Sequence, residues 1–266
     1  MLGAIIGDIV GSIYEFDNLR SKDFPFFGTD RKKPYFTDDS VMSIAIAAAI
    51  LACKDDYTDL SHQAIKFMQG IGRNYPNCGY GGSFYYWIFG NNPRPYLSFG
   101  NGSAMRVSAC GFAGRTLGEV KDLSEKVTII SHNHPEGVKG AEATAVAIFL
   151  AREGKNKEEI REYITKNYYK IDFTLDEIRP TYKFNETCQD TVPQALEAFF
   201  ESTSFEDAIR NGISIGGDSD TIGAIVGGIA EAYYGIPKDI REKAMTFLDA
   251  TLPRRFLSCC IHPRPG

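Results

Sequence analysis

Two short acidic clusters carry the clearest chemistry in this chain. Phe36-Thr37-Asp38-Asp39-Ser40 and Gly216-Gly217-Asp218-Ser219-Asp220-Thr221 each join two carboxylates to a threonine hydroxyl. Asp39 and Asp218 lie 179 positions apart, yet the clusters match in composition, and each opens an apolar run. If both helix starts meet at one end of a bundle, four carboxylates converge, and their repulsion forbids full ionisation without counter-cations. Carboxylate and hydroxyl oxygens are hard donors that suit Mg²⁺ or Mn²⁺. The same residues also read as helix N-caps with acids complementing the helix dipole, and the pattern alone leaves both readings open. Asp55-Asp56, flanked by Lys54 and Tyr57, serves as an internal control: it reads as a solvated turn.

A second candidate is the glycine-rich middle. Between Gly70 and Gly102 there are eight glycines and nine aromatic residues, which is not the composition of a flexible linker. Its end, Gly100-Asn101-Gly102-Ser103, precedes a helix-patterned run, where free backbone N–H groups bind phosphate well. A structural loop packed by its own aromatics accounts for the same residues. Walker A chemistry is absent, since no Gly-Lys-Ser or Gly-Lys-Thr follows. His132 and His134, in Ser131-His132-Asn133-His134-Pro135, stand at a helix start where ligand contact is plausible chemistry, but without HExxH spacing. The six cysteines form no CxxC pair and read as small buried hydrophobes; Cys259, Cys260 and His262 lack the ordered pairs of a zinc site.

The elements that must position these groups are helices. Apolar residues recur at i, i+3, i+4 and i+7, which predicts helices over 2–15, 38–53, 60–72, 104–116, 123–131, 136–152, 157–167, 192–202, 205–213, 220–234 and 238–248. Thr37 caps the second, Ser204 caps FEDAIRNGI with Asp207 at the capping-box position, and Pro237 falls at the start of the last. Gly3, Gly7 and Gly11 line one face of the first helix, and Gly223 and Gly227 line one face of the helix after Asp220. Small faces of this kind let two backbones approach closely. Strand patterns are scarce, so the fold class is all-α.

The whole-chain composition narrows the function. The 266 residues carry a net charge of −5, so a basic footprint for wrapping nucleic acid or an acidic membrane is missing. The longest apolar run, 41–53, falls short of the roughly 20 residues of a membrane span. The first residues lack a basic n-region, and Asp8 interrupts them, so they do not read as a signal peptide. A cytoplasmic monomer is expected. The stretch 166–189 is read as a long connection inside one domain spanning 1–266.

Together the segments GAIIGDIVGSIYEF (3–16), FTDDSVM (36–42), GNGSAMR (100–106), SHNHPEGVKGA (131–141) and GGDSDTIGAIVGG (216–228) resemble the ADP-ribosylglycohydrolases, in the family's order and over nearly the whole chain. The resemblance implies a compact orthogonal helical bundle with a binuclear metal cleft. It carries over Thr37, Asp38, Asp39, Asp218, Asp220 and Thr221 as ligands of two divalent cations, Mg²⁺ or Mn²⁺. Glu15 matches a glutamate at the metal site that gates the substrate. Gly100, Asn101, Gly102 and Ser103 match a diphosphate cradle, and His132 a substrate contact; Tyr80, Tyr96 and Phe99 are the aromatic candidates. The implied activity is metal-dependent hydrolysis at the anomeric carbon of ADP-ribose, freeing a protein side chain (arginine or serine) or a small ester. Nucleic acid enters only as a modified substrate. Glu15 is the first choice for moving protons and Asp220 the second. Two rivals stay open: a Mg²⁺-dependent diphosphate hydrolase or lyase with paired aspartates, and a non-catalytic ADP-ribose-binding module.

Overall fold

A computed structural model describes residues 1–53, 56–249 and 252. Thirteen α-helices and one 3-10 turn, at 101–103, make up the described architecture: α1 (Leu2–Gly11), α2 (Asp38–Ala52), α3 (Leu60–Gly72), α4 (Gly82–Phe89), α5 (Ser108–Ala113), α6 (Leu117–Thr128), α7 (Pro135–Arg152), α8 (Lys157–Asn167), α9 (Leu175–Ile178), α10 (Cys188–Phe200), α11 (Phe205–Ile213), α12 (Ser219–Tyr234) and α13 (Lys238–Ala244). Among the described residues extended pairing is confined to two isolated bridges, Thr29 with Lys32 and Gly100 with Thr187, so the chain is all-α as expected.

The centre is the pair α1 and α12. Every residue of α1 is buried, as are the first twelve of α12. The glycines explain how they meet. A Cβ placed on Gly7 would lie 1.8 Å from the Gly223 carbonyl oxygen, on Gly3 2.2 Å from that of Gly227, and on Gly11 2.3 Å from that of Ser219. Any larger residue would overlap backbone, so glycine's cost within a helix is offset by this contact. Around the pair, α2, α5, α7, α10 and α11 complete one contiguous apolar core.

Several boundaries depart from the sequence expectation. The first helix stops at Gly11 rather than at residue 15. Ser12 Oγ donates back to the Ile9 carbonyl, and 12–18 continues as successive turns that put Glu15 off the helix axis. The expected helix 123–131 is α6, which starts six residues earlier, where Thr116 caps the Glu119 amide and Glu119 reaches back to the Arg115 amide. The expected helix 192–202 starts at Cys188 and takes Pro193 into its body. The expected 104–116 shrinks to α5, and 238–248 to α13. α4 forms inside the glycine-rich middle, where Phe84, Trp87 and Ile88 bury one face. The connection 166–189 holds the short α9, closed by a Thr174–Glu177 capping box.

The caps on α2 and α11 are as expected, with Thr37 accepting from the Asp39 amide and Ser204 from the Asp207 amide, and Pro237 stands at the start of α13; the Asp207 carboxylate reaches the Thr203 amide instead of the cap's own. Asp56 is exposed and accepts from Thr58; Asp55 lies outside the described residues, as do Cys259, Cys260 and His262.

Candidate active site

The N-termini of α2 and α12 do meet, at the floor of a cleft of about 660 Å³. Asp38, Asp39, Asp218, Asp220 and Thr221 line it together with Glu15 and Glu186. No lysine or arginine is among the lining residues. Carboxylate oxygens of Glu15, Asp218 and Asp220 lie within 4.8 Å of one another, a composition and spacing able to hold a metal ion.

Two features set this floor in place. On the α2 side, Asp8 projects from the middle of α1 and accepts from four groups. Thr37 N (2.9 Å), Thr37 Oγ1 (2.8 Å), Ser40 N (3.1 Å) and the Ser40 hydroxyl all donate to it. The first turn of α2 is thereby fastened to α1, and the Asp38 amide donates to the Cys78 carbonyl at 2.8 Å. On the α12 side, Gly216 and Gly217 take φ of 72° and 76°, turning the chain into the helix. Asn101 Nδ2 then donates to Asp218 Oδ2 (2.7 Å) and to Thr191 Oγ1 (3.1 Å). The Glu15 loop is held by Arg20, whose guanidinium donates to the Arg179, Tyr182 and Ile215 carbonyls.

The electrostatics are those of a site short of positive charge. Burial, then the neighbouring carboxylates, holds Asp38 and Asp39 well above the usual carboxylate range. Asp218 is raised likewise by burial, then by the charge of Asp220 and a hydrogen bond shared with it. Asp220 is pushed up to about 7 by burial, with Glu15 and Asp8 adding to it. Glu15, half-buried, is also raised to about 7, by desolvation and then by Asp218, Asp8 and Glu186. Asp8 rises to about 6 because burial outweighs its four donors. Asp39 Oδ1 is buried with no hydrogen-bond partner. A buried orphan oxygen among carboxylates that resist ionising together is what a hard cation relieves. Thr37 is buried and does not line the cleft. Its hydroxyl gives its proton to Asp8 and accepts from the Asp39 amide, which leaves one oxygen lone pair available. Thr221 Oγ1 sits 3.4 Å from Asp39 Oδ2.

The expected cradle is corrected in part. Gly100, Asn101 and Gly102 line the cleft, but Ser103 does not: its hydroxyl faces the carbonyls of Gly137 (2.8 Å) and Gly100 (3.1 Å) inside the core. The turn's amides are mostly engaged within the protein, Gly100 N with Ser98 Oγ, Asn101 N with the Glu186 carbonyl and Ser103 N with the Gly100 carbonyl. Of these four residues, Gly102 keeps its N–H for a ligand. Tyr80 also falls outside the lining; its hydroxyl donates to the Gly72 carbonyl at 3.2 Å and its ring packs on Phe84. Tyr96, Phe99 and His132 line the cleft. His134 is a cap, accepting from the Glu136 amide at 3.1 Å.

Burial pushes the thiols of Cys53, Cys78 and Cys188 up to about 12, away from the thiolate form a nucleophile needs. Sequence reasoning missed Asp8, whose signal was a lone acid in an apolar run. It also missed Phe184, Asn185 and Glu186, which return from the 166–189 connection to line the cleft. Phe184 stacks on Phe16, ring centroids 5.9 Å apart, and both are exposed. No local signal marked that pair.

A family model described as ADP-ribosylglycohydrolase matches residues 1–258. The chain is 27% identical over 272 aligned residues to the ADP-ribosyl-[dinitrogen reductase] glycohydrolase of Rhodospirillum rubrum, covering 95% of this chain and 90% of that protein. It is 25% identical to the human ADP-ribosylhydrolase ARH3 (89% and 84% covered). It is also 25% identical to the ADP-ribosylarginine hydrolase Tri1 of Pseudomonas putida strain GB-1 (89% and 70% covered). A solved structure titled ADP-ribosylglycohydrolase-related protein complex shares the fold, with a TM-score of 0.68 at 22% identity over 92% of this chain and 93% of that one.

Proposed function

This chain belongs to the ADP-ribosylglycohydrolase family, and from that premise we propose that it hydrolyses the glycosidic bond at the anomeric carbon of ADP-ribose, releasing ADP-ribose from a modified protein side chain. The observation that carries the reading is the convergence of Glu15, Asp38, Asp39, Asp218 and Asp220 on one cleft beside the Gly100–Gly102 turn. Two divalent cations, Mg²⁺ or Mn²⁺, would be held by Asp38, Asp39, Asp218, Asp220 and the hydroxyls of Thr37 and Thr221. When bound, such cations polarise substrate oxygens and acidify water. The orphan Asp39 Oδ1 and the upward-shifted acids support their presence.

The chain's own groups do the rest. Glu15, raised to about 7, is poised near neutral pH both to take a proton from an attacking water and to return one to a leaving group. Asn101 fixes Asp218, and Asp8 fixes the Thr37–Ser40 turn, so the acids are oriented before substrate arrives. Cleavage at the anomeric carbon builds positive charge, which this acidic cleft stabilises.

The leaving group is read from charge. Two divalent cations offset four aspartates, and Glu15 and Glu186 remain in excess. Phe184, which lines the cleft, and Phe16 stacked on it add exposed ring faces beside the site. This environment favours a planar cation, hence ADP-ribosyl-arginine over ADP-ribosyl-serine or an acetyl ester. A single catalytic domain, acting as a monomer in the reducing cytoplasm, belongs to the same reading; the four described cysteines are free thiols, and no described helix is long and apolar enough to cross a membrane.

The test is a hydrolysis panel of ADP-ribosyl-arginine, ADP-ribosyl-serine and O-acetyl-ADP-ribose with Mg²⁺ and with Mn²⁺. Free ADP-ribose, released fastest from the arginine conjugate, is the expected product. Released phosphate or AMP would favour the diphosphate hydrolase. ADP-ribose binding with no turnover on any substrate would favour the binding module.

A further inference from the structure

Behind the cleft wall lies the largest fully buried side chain of the described residues, the cation Arg106. It has no carboxylate among its hydrogen-bond partners. Nη2 donates to the Val127 carbonyl (3.1 Å) and to Ser131 Oγ (2.8 Å), while Nε and Nη1 make no hydrogen bond among the described residues. The guanidinium lies 5.4 Å from the centroid of the Phe84 ring, which lines the cleft. A buried cation without a counter-ion is costly, so its effect on its neighbours calls for an account.

The neighbour is Ser131. Ser131 Oγ accepts from Arg106, and its only other close partner among the described residues is His132 Nδ1, at 2.8 Å, so the buried hydroxyl proton is satisfied only when it points to Nδ1. Nδ1 is thereby the acceptor, and the ring proton resides on Nε2. His132 lines the cleft, and the Gly100–Gly102 turn runs close against Nε2: a Cβ on Gly102 would sit 3.3 Å from it. Arg106 from the 104–107 turn and the phenol of Tyr96 are the charged and titratable groups facing the ring; α4 contributes only the apolar Phe84. Desolvation and then the Arg106 charge keep the imidazole neutral.

We propose that Arg106 and Ser131 are positioning residues that lock His132 in its Nε2–H tautomer, as a neutral donor beside Gly102 for a diphosphate oxygen of ADP-ribose. The proposal rests on the reading of the cleft as an ADP-ribose site. It accounts for how a cleft lined by acids and by no lysine or arginine accepts a dianion: the donors are neutral, and the cation Arg106 acts through the wall. An imidazolium would bind the diphosphate more strongly but would gain and lose its proton near neutral pH. The relay makes the donor constant.

The test uses the full chain with ¹⁵N-labelled histidine, His132 being assigned by loss of its signals in His132→Asn. The expected spectrum shows Nδ1 unprotonated and Nε2 protonated from about pH 8 to about pH 5.5, across the range where an ordinary histidine titrates. In Ser131→Ala the tautomers should mix, and Ser131→Thr should restore the single form. Calorimetry with ADP-ribose in Mg²⁺ should give a roughly fivefold weaker Kd for Ser131→Ala, the loss of about one hydrogen bond, with near recovery in Ser131→Thr. In turnover the loss should fall on KM rather than kcat. Protonated Nδ1 in the wild type, or equal ADP-ribose affinity in Ser131→Ala, overturns the relay. A wild-type chain that binds no ADP-ribose overturns the reading of the cleft and with it the diphosphate role, while the NMR result still decides the tautomer.

Discussion

The same two helices build two opposite environments. Along their length α1 and α12 meet backbone to backbone, with no side chain between Gly7 and Gly223. At the end of that contact, Glu15 just beyond α1 and Asp218 and Asp220 at the start of α12 bring carboxylate oxygens within 4.8 Å of each other. The glycine seam is complete by itself, neutral and closed to any added atom. The acidic cleft carries more like charge than it can ionise. The first environment produces the second: the close approach of the backbones sets how near the acids must stand. Stability is stored in the seam, and the strain that makes chemistry available is held at its end.

The contrast is sharpest under substitution. Asp220→Asn should lower turnover by about 10³-fold or more, the scale of losing a group that stabilises transition-state charge. In the metal-free protein at pH 8 it should raise the unfolding midpoint, because one buried carboxylate held near pKa 7 no longer has to ionise. Activity assays and urea titrations of the two proteins check this; surviving metal-dependent turnover would remove Asp220 from the site. Gly7→Ala should do the reverse. One methyl 1.8 Å from the Gly223 oxygen forces the helices apart, at about 3 kcal/mol of stability, read as a lower urea midpoint with an unchanged slope. A neutral effect would mean that the seam yields, and that the acids' spacing is set elsewhere.

Removing the cations tests the cleft alone. Glu15 and Asp220 are raised to about 7 and Asp8 to about 6, so between the ordinary carboxylate range and pH 7 the folded state holds protons that the unfolded state has lost. Stability of the metal-free protein must therefore fall as pH rises from about 4 to about 7, then level. Saturating Mn²⁺ at about 100 times its Kd should restore about 2.7 kcal/mol per site at pH 8, and less at pH 5 where protons compete for the same oxygens. Thermal unfolding with and without Mn²⁺ at the two pH values measures the difference. Midpoints that ignore Mn²⁺ at pH 8 would leave the acids as structural caps.

How far the sequence could be read follows the same division. The seam was legible because its signal is local and periodic: glycines four apart on two apolar helices. The acid floor was legible because Asp38, Asp39, Asp218 and Asp220 each sit at the start of an apolar helix. What escaped depends on long-range packing. Ser103 and Tyr80 belong to plausible motifs, yet the fold turns their hydroxyls onto the Gly137 and Gly72 carbonyls. Glu186 and Phe184 reach the cleft from an irregular connection, through the bridge of Thr187 to Gly100, which no spacing announces. α4 was hidden because glycine-rich composition outweighed its buried Phe84, Trp87 and Ile88.

Asp8 belongs to both regions, and its substitution separates them by the smallest change. It rises from the seam helix, and its Oδ2 accepts from the Thr37 and Ser40 amides and from the Ser40 hydroxyl, while Oδ1 takes the Thr37 proton. In Asp8→Asn the amide oxygen can keep the three Oδ2 contacts, which leaves the amide N–H₂ facing Thr37 Oγ1. The Thr37 hydroxyl must then accept from residue 8 and swing its own proton toward Asp39 Oδ2, 3.4 Å away, so its lone pairs no longer serve a cation. The fold should survive, with the metal-free unfolding midpoint nearly unchanged, because a buried charge is lost along with its one mismatched contact. Mn²⁺ affinity should fall by about 10- to 100-fold, the usual consequence of altering a group that orients a ligand. Calorimetric titration of Mn²⁺ into both proteins reads the change directly. Equal affinities would assign Asp8 wholly to the seam, as a fastening of α2 onto α1 with no bearing on the chemistry above it.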